Sequence, residues 1–287
     1  MRVILLGTGT PVPSLRRMSS GYLVDLGDKG VILLDHGPGA YHRMLEAGYA
    51  PTQVTDVFFS HLHFDHCLDY QRLVLTRWDQ SSGSTPELNV YGPPPIGRMT
   101  ELCFGPDGIW DPDLTARTQH PLSLQVYAAR GGVPPRPRPA PVVRELGNGD
   151  TVDGNGWRAA VRSVRHAQPY LACYGIRLET PAGTVAYTGD TGPCKAVERL
   201  AEGADILLGM CSYEDGNSLG PEYAETCMSH LDLARLGQAA GVGALVVSHV
   251  HAKIDIPGVR ERLIHEMSAV YDGTLYFGAD LMEIPLK

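Results

Sequence analysis

No stretch of this chain approaches the roughly 18 consecutive apolar residues that a membrane-crossing helix requires, so none is expected. The apolar run near the start, Val3–Leu6 within MRVILLGTGTPVPS, is four residues long. That is short of the roughly 7–15 residues of a signal-peptide core, and it reads instead as a buried strand broken by a glycine turn. No C-x-x-C pair occurs among the six cysteines at 67, 103, 173, 194, 211 and 227. Scattered cysteines exclude a disulfide framework and predict reduced thiols in a cytoplasmic protein. Positive charge is also short: 24 Lys and Arg stand against 32 Asp and Glu, a formal net charge of −8. That balance argues against wrapping nucleic acid over a wide surface, which needs many phosphate-neutralising cations, and against non-specific membrane-surface binding. It leaves room for one local basic pocket. No repeat of about 20–50 residues is visible either, which excludes a solenoid or propeller.

What is present is enough apolar material, 43% of 287 residues, for one large α/β domain or two small ones. RVILLG, YLVDLG and VILLDHG read as strands, each ended by glycine. A short helix over PGAYHRMLEAGYAP, a strand at VTDVFFS, a helix at DYQRLVLTRW and a strand at ELNVYG follow. The second half repeats this style, from the strands WRAAVRSVRH, YGIRLETP and GTVAYTGDTGP to the helix VRERLIHEMSAVY and the closing strands GTLYFG and DLMEIP. Strands and helices mixed in both halves predict two packed sheets with helices outside, in a single domain over 1–287. Residues 103–145 read as an irregular insertion, dense in Gly and Pro at GGVPPRPRPAP, 131–141. That segment is either an exposed loop or arm, or a lid bringing Arg136 and Arg138 to an anionic substrate.

The strongest chemical signal is SHLHFDHCLDY, 60–70, with His61, His63, Asp65 and His66 just past a strand. Four donor side chains exceed the three that one open catalytic metal site uses. Two metal ions would use them all. Further donors also sit at strand ends: His166 after AAVRSVR, Asp190 in VAYTGD and His249 in ALVVSH. These complete one set of His61, His63 and His166 and another of Asp65, His66 and His249, with the Asp190 carboxylate between them. Histidine and carboxylate donors suit zinc best, with manganese or iron as alternatives.

At these residues the chain resembles the metallo-β-lactamase superfamily. The resemblance rests on HLHFDH, His166, TGDT and VVSH, and it implies a four-layer αββα sandwich with a dinuclear site along one edge of the sheets. LLGTGTPVPSLRRMSS, LLDHGPGAYHRMLEAG, YTGDTGPC and MSHLDLARLGQAAGVGALVVSH are most similar to the ribonuclease Z and arylsulfatase-like branch. By that match His230 is the family's non-ligand catalytic histidine, and homodimers are common in the family. The chain departs from ribonuclease Z at GMCS, 209–212, which puts Met210 where a glutamate is typical. It departs again at VHAKID after His249, and in lacking a long Gly-rich basic arm.

The expected activity is therefore hydrolysis. A metal-bridging hydroxide, oriented by Asp65, attacks an ester-type bond, and His230 serves the leaving group. The departures put a small anionic or ester molecule first as substrate (a phosphodiester, sulfate ester, carboxylic ester or lactone). A ribonuclease Z-type cut at tRNA 3′ ends is the alternative. His251 is a second candidate for the place of His249, His36 a candidate to orient a metal-binding residue, and Cys211 a thiol that could approach the site.

Overall fold

The computed structural model describes residues 1–286. The first half runs β1 (Arg2–Gly7), β2 (Gly21–Asp25), β3 (Val31–His36), α1 (Ala40–Glu46), β4 (Val54–Phe58), α2 (Phe64–Cys67), α3 (Tyr70–Ser81), β5 (Asn89–Gly92), α4 (Ile96–Phe104), α5 (Asp111–Gln119), α6 (Pro121–Ala129) and β6 (Val142–Glu145). The second half runs β7 (Thr151–Gly154), β8 (Trp157–Ser163), β9 (Tyr174–Thr180), β10 (Gly183–Tyr187), α7 (Lys195–Ala201), β11 (Ile206–Met210), α8 (Pro221–Thr226), α9 (His230–Ala240), β12 (Ala244–Ser248), α10 (Val259–Ser268), β13 (Thr274–Phe277) and β14 (Glu283–Ile284).

Two seven-stranded mixed sheets result, in the orders β14-β1-β2-β3-β4-β5-β6 and β13-β12-β11-β10-β9-β8-β7. Strands such as β1, β3, β11 and β12 are apolar on both faces, and alternation sorts their side chains into layers. In β1, Val3 and Leu5 enter the core between the sheets, while Ile4 and Leu6 join the core under the outer helices. In β12, Ala244 and Val246 face inward, while Leu245 and Val247 pack beneath the opposite helices with Leu233 and Leu263. Three apolar cores therefore separate four layers, the αββα sandwich.

Local signals explain where the elements stop. Helix α9 begins at a capping box in which Ser229 Oγ accepts the Asp232 N–H and Asp232 Oδ2 accepts the Ser229 N–H, both at 3.1 Å. It ends at Gly241, whose φ of 62° suits glycine.

The region 103–145 is more regular than its composition suggests. Helices α5 and α6 each carry proline in the first turn, at Pro112 and Pro121, where a missing N–H costs nothing. Apart from the short turn at 105–110, the one long stretch of this region without helix or strand is 130–141. It is clamped: the Arg136 guanidinium lies 3.9 Å from the Trp78 ring and pairs with Asp79 at 2.9 Å. Trp78 Nε1–H donates to Pro137 O at 2.8 Å, and Arg138 pairs with Asp111 at 2.6 Å. Both arginines that a lid would bring to a substrate are spent on holding the segment to the helical layer.

Among the described residues, no helix is long and apolar enough to cross a membrane. All six cysteines are unpaired.

Candidate metal centre

Strand β4 ends at Phe58, and the chain then leaves the sheet through His61 and His63 before turning into α2. Residues 61 and 63 lie outside any strand, yet their two rings meet, with His61 Nε2 2.9 Å from His63 Nδ1. One turn of helix returns Asp65 and His66 to the same cavity and leaves Phe64 turned to solvent. That helix packs so closely on the loop after β3 that a Cβ at Gly37 would lie 1.9 Å from Asp65 O. Glycine is required there by contact alone. Asp190 follows β10 through Gly189 (φ 58°), and His249 follows β12 at φ 50°, a left-handed conformation uncommon for histidine.

The donor atoms converge. His166 Nε2 is 3.3 Å from His63 Nδ1. His249 Nε2 is 3.4 Å from Asp65 Oδ2, and His66 Nε2 is 3.5 Å from the same oxygen. Asp190 Oδ2 lies 3.2 Å from His249 Nε2, 3.4 Å from His66 Nε2 and 3.6 Å from His166 Nε2. His61, His63 and His166 form one compact donor group, Asp65, His66 and His249 another, and His61, His66 and Asp190 a third that overlaps both. All seven residues expected to hold metal are thus brought to one place.

Hydrogen bonds behind the cluster set which ring nitrogens are bare. Asp35 Oδ2 accepts from Tyr187 OH at 2.6 Å and from Ser60 Oγ–H at 2.7 Å. It also accepts from His66 Nδ1–H at 2.7 Å. With its own proton given to Asp35, Ser60 Oγ accepts His61 Nδ1–H at 3.0 Å. Thr226 O accepts His166 Nδ1–H at 3.2 Å. Each of these three rings therefore presents an Nε2 lone pair to the cavity. Two such lone pairs, from His61 and His166, face His63 Nδ1 together, and a cation among them satisfies all three. His66 Nε2, His249 Nδ1 and Asp190 Oδ1 are buried with no hydrogen-bond partner. The donor set fits divalent metal on this ground.

Electrostatics agree for His61, His63 and Asp190, and run the other way for His66. Burial, then the charge of His66, hold His61 well below the usual histidine range. Burial and His166 lower His63. Burial alone would raise Asp190, but His249 and His66 outweigh it and hold the carboxylate well below its ordinary range. His66 is pulled the other way: burial disfavours its charge, and Asp190 and Asp35 overcome that to raise it well above.

His230 stands apart. It is buried at the start of α9, its Nδ1 accepts the Asp215 N–H at 3.1 Å, and its Nε2 faces Glu266 Oε2 at 2.8 Å. Its ring bonds to Asp215 and to Glu266 of α10, and no hydrogen bond or ion pair among the described residues joins it to the cluster. His251 is also outside, its Nδ1 accepting the Lys253 N–H at 3.2 Å. His36 is fully buried with both ring nitrogens unpartnered, and burial pushes its pKa down to about 3. It is its neighbour Asp35 that orients His66. Cys211 is sealed in the second core, where burial pushes its thiol up to about 12. Met210 receives the Thr191 N–H on its sulfur at 2.8 Å, beside Asp190.

Sequence reasoning missed the supporting shell of Asp35, Ser60, Tyr187 and the Thr226 carbonyl. The one available signal was an acid, Asp35, ending an otherwise apolar strand.

The chain belongs to the metallo-beta-lactamase superfamily, whose pattern it matches over residues 15–249. It is accordingly a metal-dependent hydrolase of that superfamily. Ribonuclease Z of Mycobacterium sp. (strain KMS) is 32% identical over 255 residues, covering 87% of this chain and 84% of that protein. Ribonuclease BN of Escherichia coli O6:K15:H31 is 29% identical over 320 residues, covering 96% of each. The solved structure of the metallo-beta-lactamase fold protein YhfI from Bacillus subtilis superposes with a TM-score of 0.74 at 19% identity, covering 99% of each chain. These sequence relatives are named for ribonucleases, the alternative among the expected substrates, where the departures at GMCS and VHAKID put a small ester first.

Proposed function

We propose that the chain is a phosphodiester hydrolase of the ribonuclease Z type acting on RNA ends. In this reading His61, His63 and His166 hold one divalent ion, Asp65, His66 and His249 hold a second, and Asp190 is shared. Zinc is the metal this donor set suits best. The observation that carries the reading is the position of Asp190 Oδ2, within 3.6 Å of nitrogens from both donor sets. When bound, the ions supply Lewis acidity and lower the pKa of a coordinated water to about 7. Asp65 orients the attacking water from its place between His66 and His249. Asp35 fixes the His66 ring directly and the His61 ring through Ser60. His230, held between Asp215 and Glu266, anchors the wall of the site rather than passing a proton. Six unpaired cysteines favour a reducing, cytoplasmic setting.

A small-molecule ester is the second reading, favoured by the modest cavity of about 330 Å³ between the segments that follow β11 and His249. The test sets a precursor tRNA with a 3′ trailer beside chromogenic phosphodiesters, sulfates and carboxylic esters. Cleavage of the tRNA at low enzyme concentration is expected. Turnover of the small esters with the tRNA left whole would sink the RNA reading and leave the second.

A further inference from the structure

The cavity of about 330 Å³ lies between the segment after β11, from Ser212 to Tyr223, and the turn after His249, from His251 to Ile254. Both walls are tied to the metal cluster. The first continues to Thr226, whose carbonyl takes the His166 proton, and the second begins two residues past His249. Its chemistry is uneven. Tyr213 and Tyr223 lie with ring centroids 5.5 Å apart, tilted by 57°, and offer an aromatic wall. Glu214 is paired with Arg262 at 2.6 Å, and the same arginine also reaches Glu266 at 3.2 Å, so the Glu214 charge is partly offset. Arg17 pairs with Asp255 and Arg260 with Glu261, just past the same turn. Lys253 forms no ion pair among the described residues, although it lines the cavity and is exposed. The Lys253 backbone N–H occupies His251 Nδ1, which leaves the proton of that ring on Nε2, as a donor.

An aromatic wall, an unpaired cation and a fixed N–H donor, on segments that run on to the candidate phosphodiester centre, match the parts of one nucleotide. Flat bases stack on tyrosine whatever their identity, and phosphates take a lysine and an N–H donor. The volume holds a group of about that size and excludes a duplex. We propose that this cavity is the subsite for one nucleotide unit flanking the scissile bond. The base lies against Tyr223, and the phosphate is held by Lys253 and the Nε2–H of His251. This rests on the phosphodiester reading above, and it makes the VHAKID turn the part of the chain that selects substrate.

The test is binding to the metal-loaded protein, read by tyrosine fluorescence or ligand-observed NMR, with adenosine 5′-monophosphate, adenosine and inorganic phosphate as separate probes. Adenosine 5′-monophosphate is expected to bind about tenfold or more tightly than either fragment. Lys253→Ala, at an exposed position, is expected to weaken it about tenfold. Tyr223→Ala is expected to weaken the nucleotide and leave inorganic phosphate unchanged, with circular dichroism reporting that the fold is intact. Nucleotide binding no tighter than phosphate, or indifferent to both substitutions, overturns the subsite. If precursor tRNA is nevertheless cleaved, the RNA reading stands without it. If nucleotide binding depends on Lys253 and Tyr223 while precursor tRNA is untouched, the subsite stands and the RNA reading fails.

Discussion

Asp35 Oδ2 sits 2.7 Å from His66 Nδ1, both side chains sealed from solvent. The carboxylate holds the proton on Nδ1 and so turns the Nε2 lone pair toward Asp65 and Asp190. Asp35 does this from a left-handed backbone conformation, φ 56°, that asparagine also tolerates. Asp35→Asn should therefore keep the fold and weaken metal binding. Loss of such an outer partner typically costs about 10–100-fold in affinity. Competition against a chromogenic chelator measures it, and an unchanged affinity would show that His66 needs no such support.

The two donor sets are separable by mutation. His63 belongs to one and His249 to the other, while Asp190 Oδ2 reaches nitrogens of both. His63→Ala and His249→Ala should each remove one equivalent of metal, and Asp190→Ala should lower the occupancy of both places. Elemental analysis after gel filtration reads the ratio. A single equivalent in the unmodified protein, abolished by each variant alike, would replace two sites with one.

Arg17 and Asp255 form a buried ion pair at 2.8 Å that ties the loop after β1 to the turn carrying Lys253. The hydrogen bond from Arg17 holds the Asp255 carboxyl below the usual carboxylate range, against the push of burial. A depressed carboxyl adds stability above its unfolded pKa of about 3.9 and loses it as pH falls through the lower folded value. Asp255→Asn should thus destabilise by about 3 kcal/mol at pH 7, as expected for breaking one side of a buried pair. The gap to the unmodified protein should shrink below about pH 4. Denaturant melts of both metal-stripped proteins at pH 7 and pH 3 test this, because acid then removes no metal from either. A gap that is the same at both values would separate Asp255 from the acid response.

The parts of this site that could be read in the sequence are those written locally. H-x-H-x-D-H places four donors within six residues, and His166, Asp190 and His249 each end a recognisable strand run. The supporting shell was not legible, because Asp35 meets His66 from 31 positions away, across the β3–α2 packing. The orientation of His230 was hidden for the same reason, since it depends on Glu266, 36 positions on. Residues 103–145 misled through proline, which breaks a helix from within but starts one at its first turn, as Pro112 and Pro121 do. The short elements β7 and α8 carried too few residues for any period to show.

Arg136 decides between an arm and a lid. It is stacked on Trp78, lies 5.0 Å from the Tyr127 ring and is paired with Asp79, so its guanidinium holds the 131–141 segment alongside the Trp78–Pro137 and Arg138–Asp111 contacts. A partly buried cation–π contact contributes about 1–2 kcal/mol. Arg136→Ala should lower stability by about that amount and expose the segment to limited proteolysis, with new cuts within 131–141. Turnover of the folded protein should not change, because Arg136 and Arg138 hydrogen-bond to Asp79, Asp111 and Thr115 and to no residue of the cluster. A lid would behave otherwise: freeing it would alter KM or kcat before it altered the melting temperature. Kinetics and proteolysis on the same preparation distinguish the two, and a kinetic change without new cleavage would restore the lid.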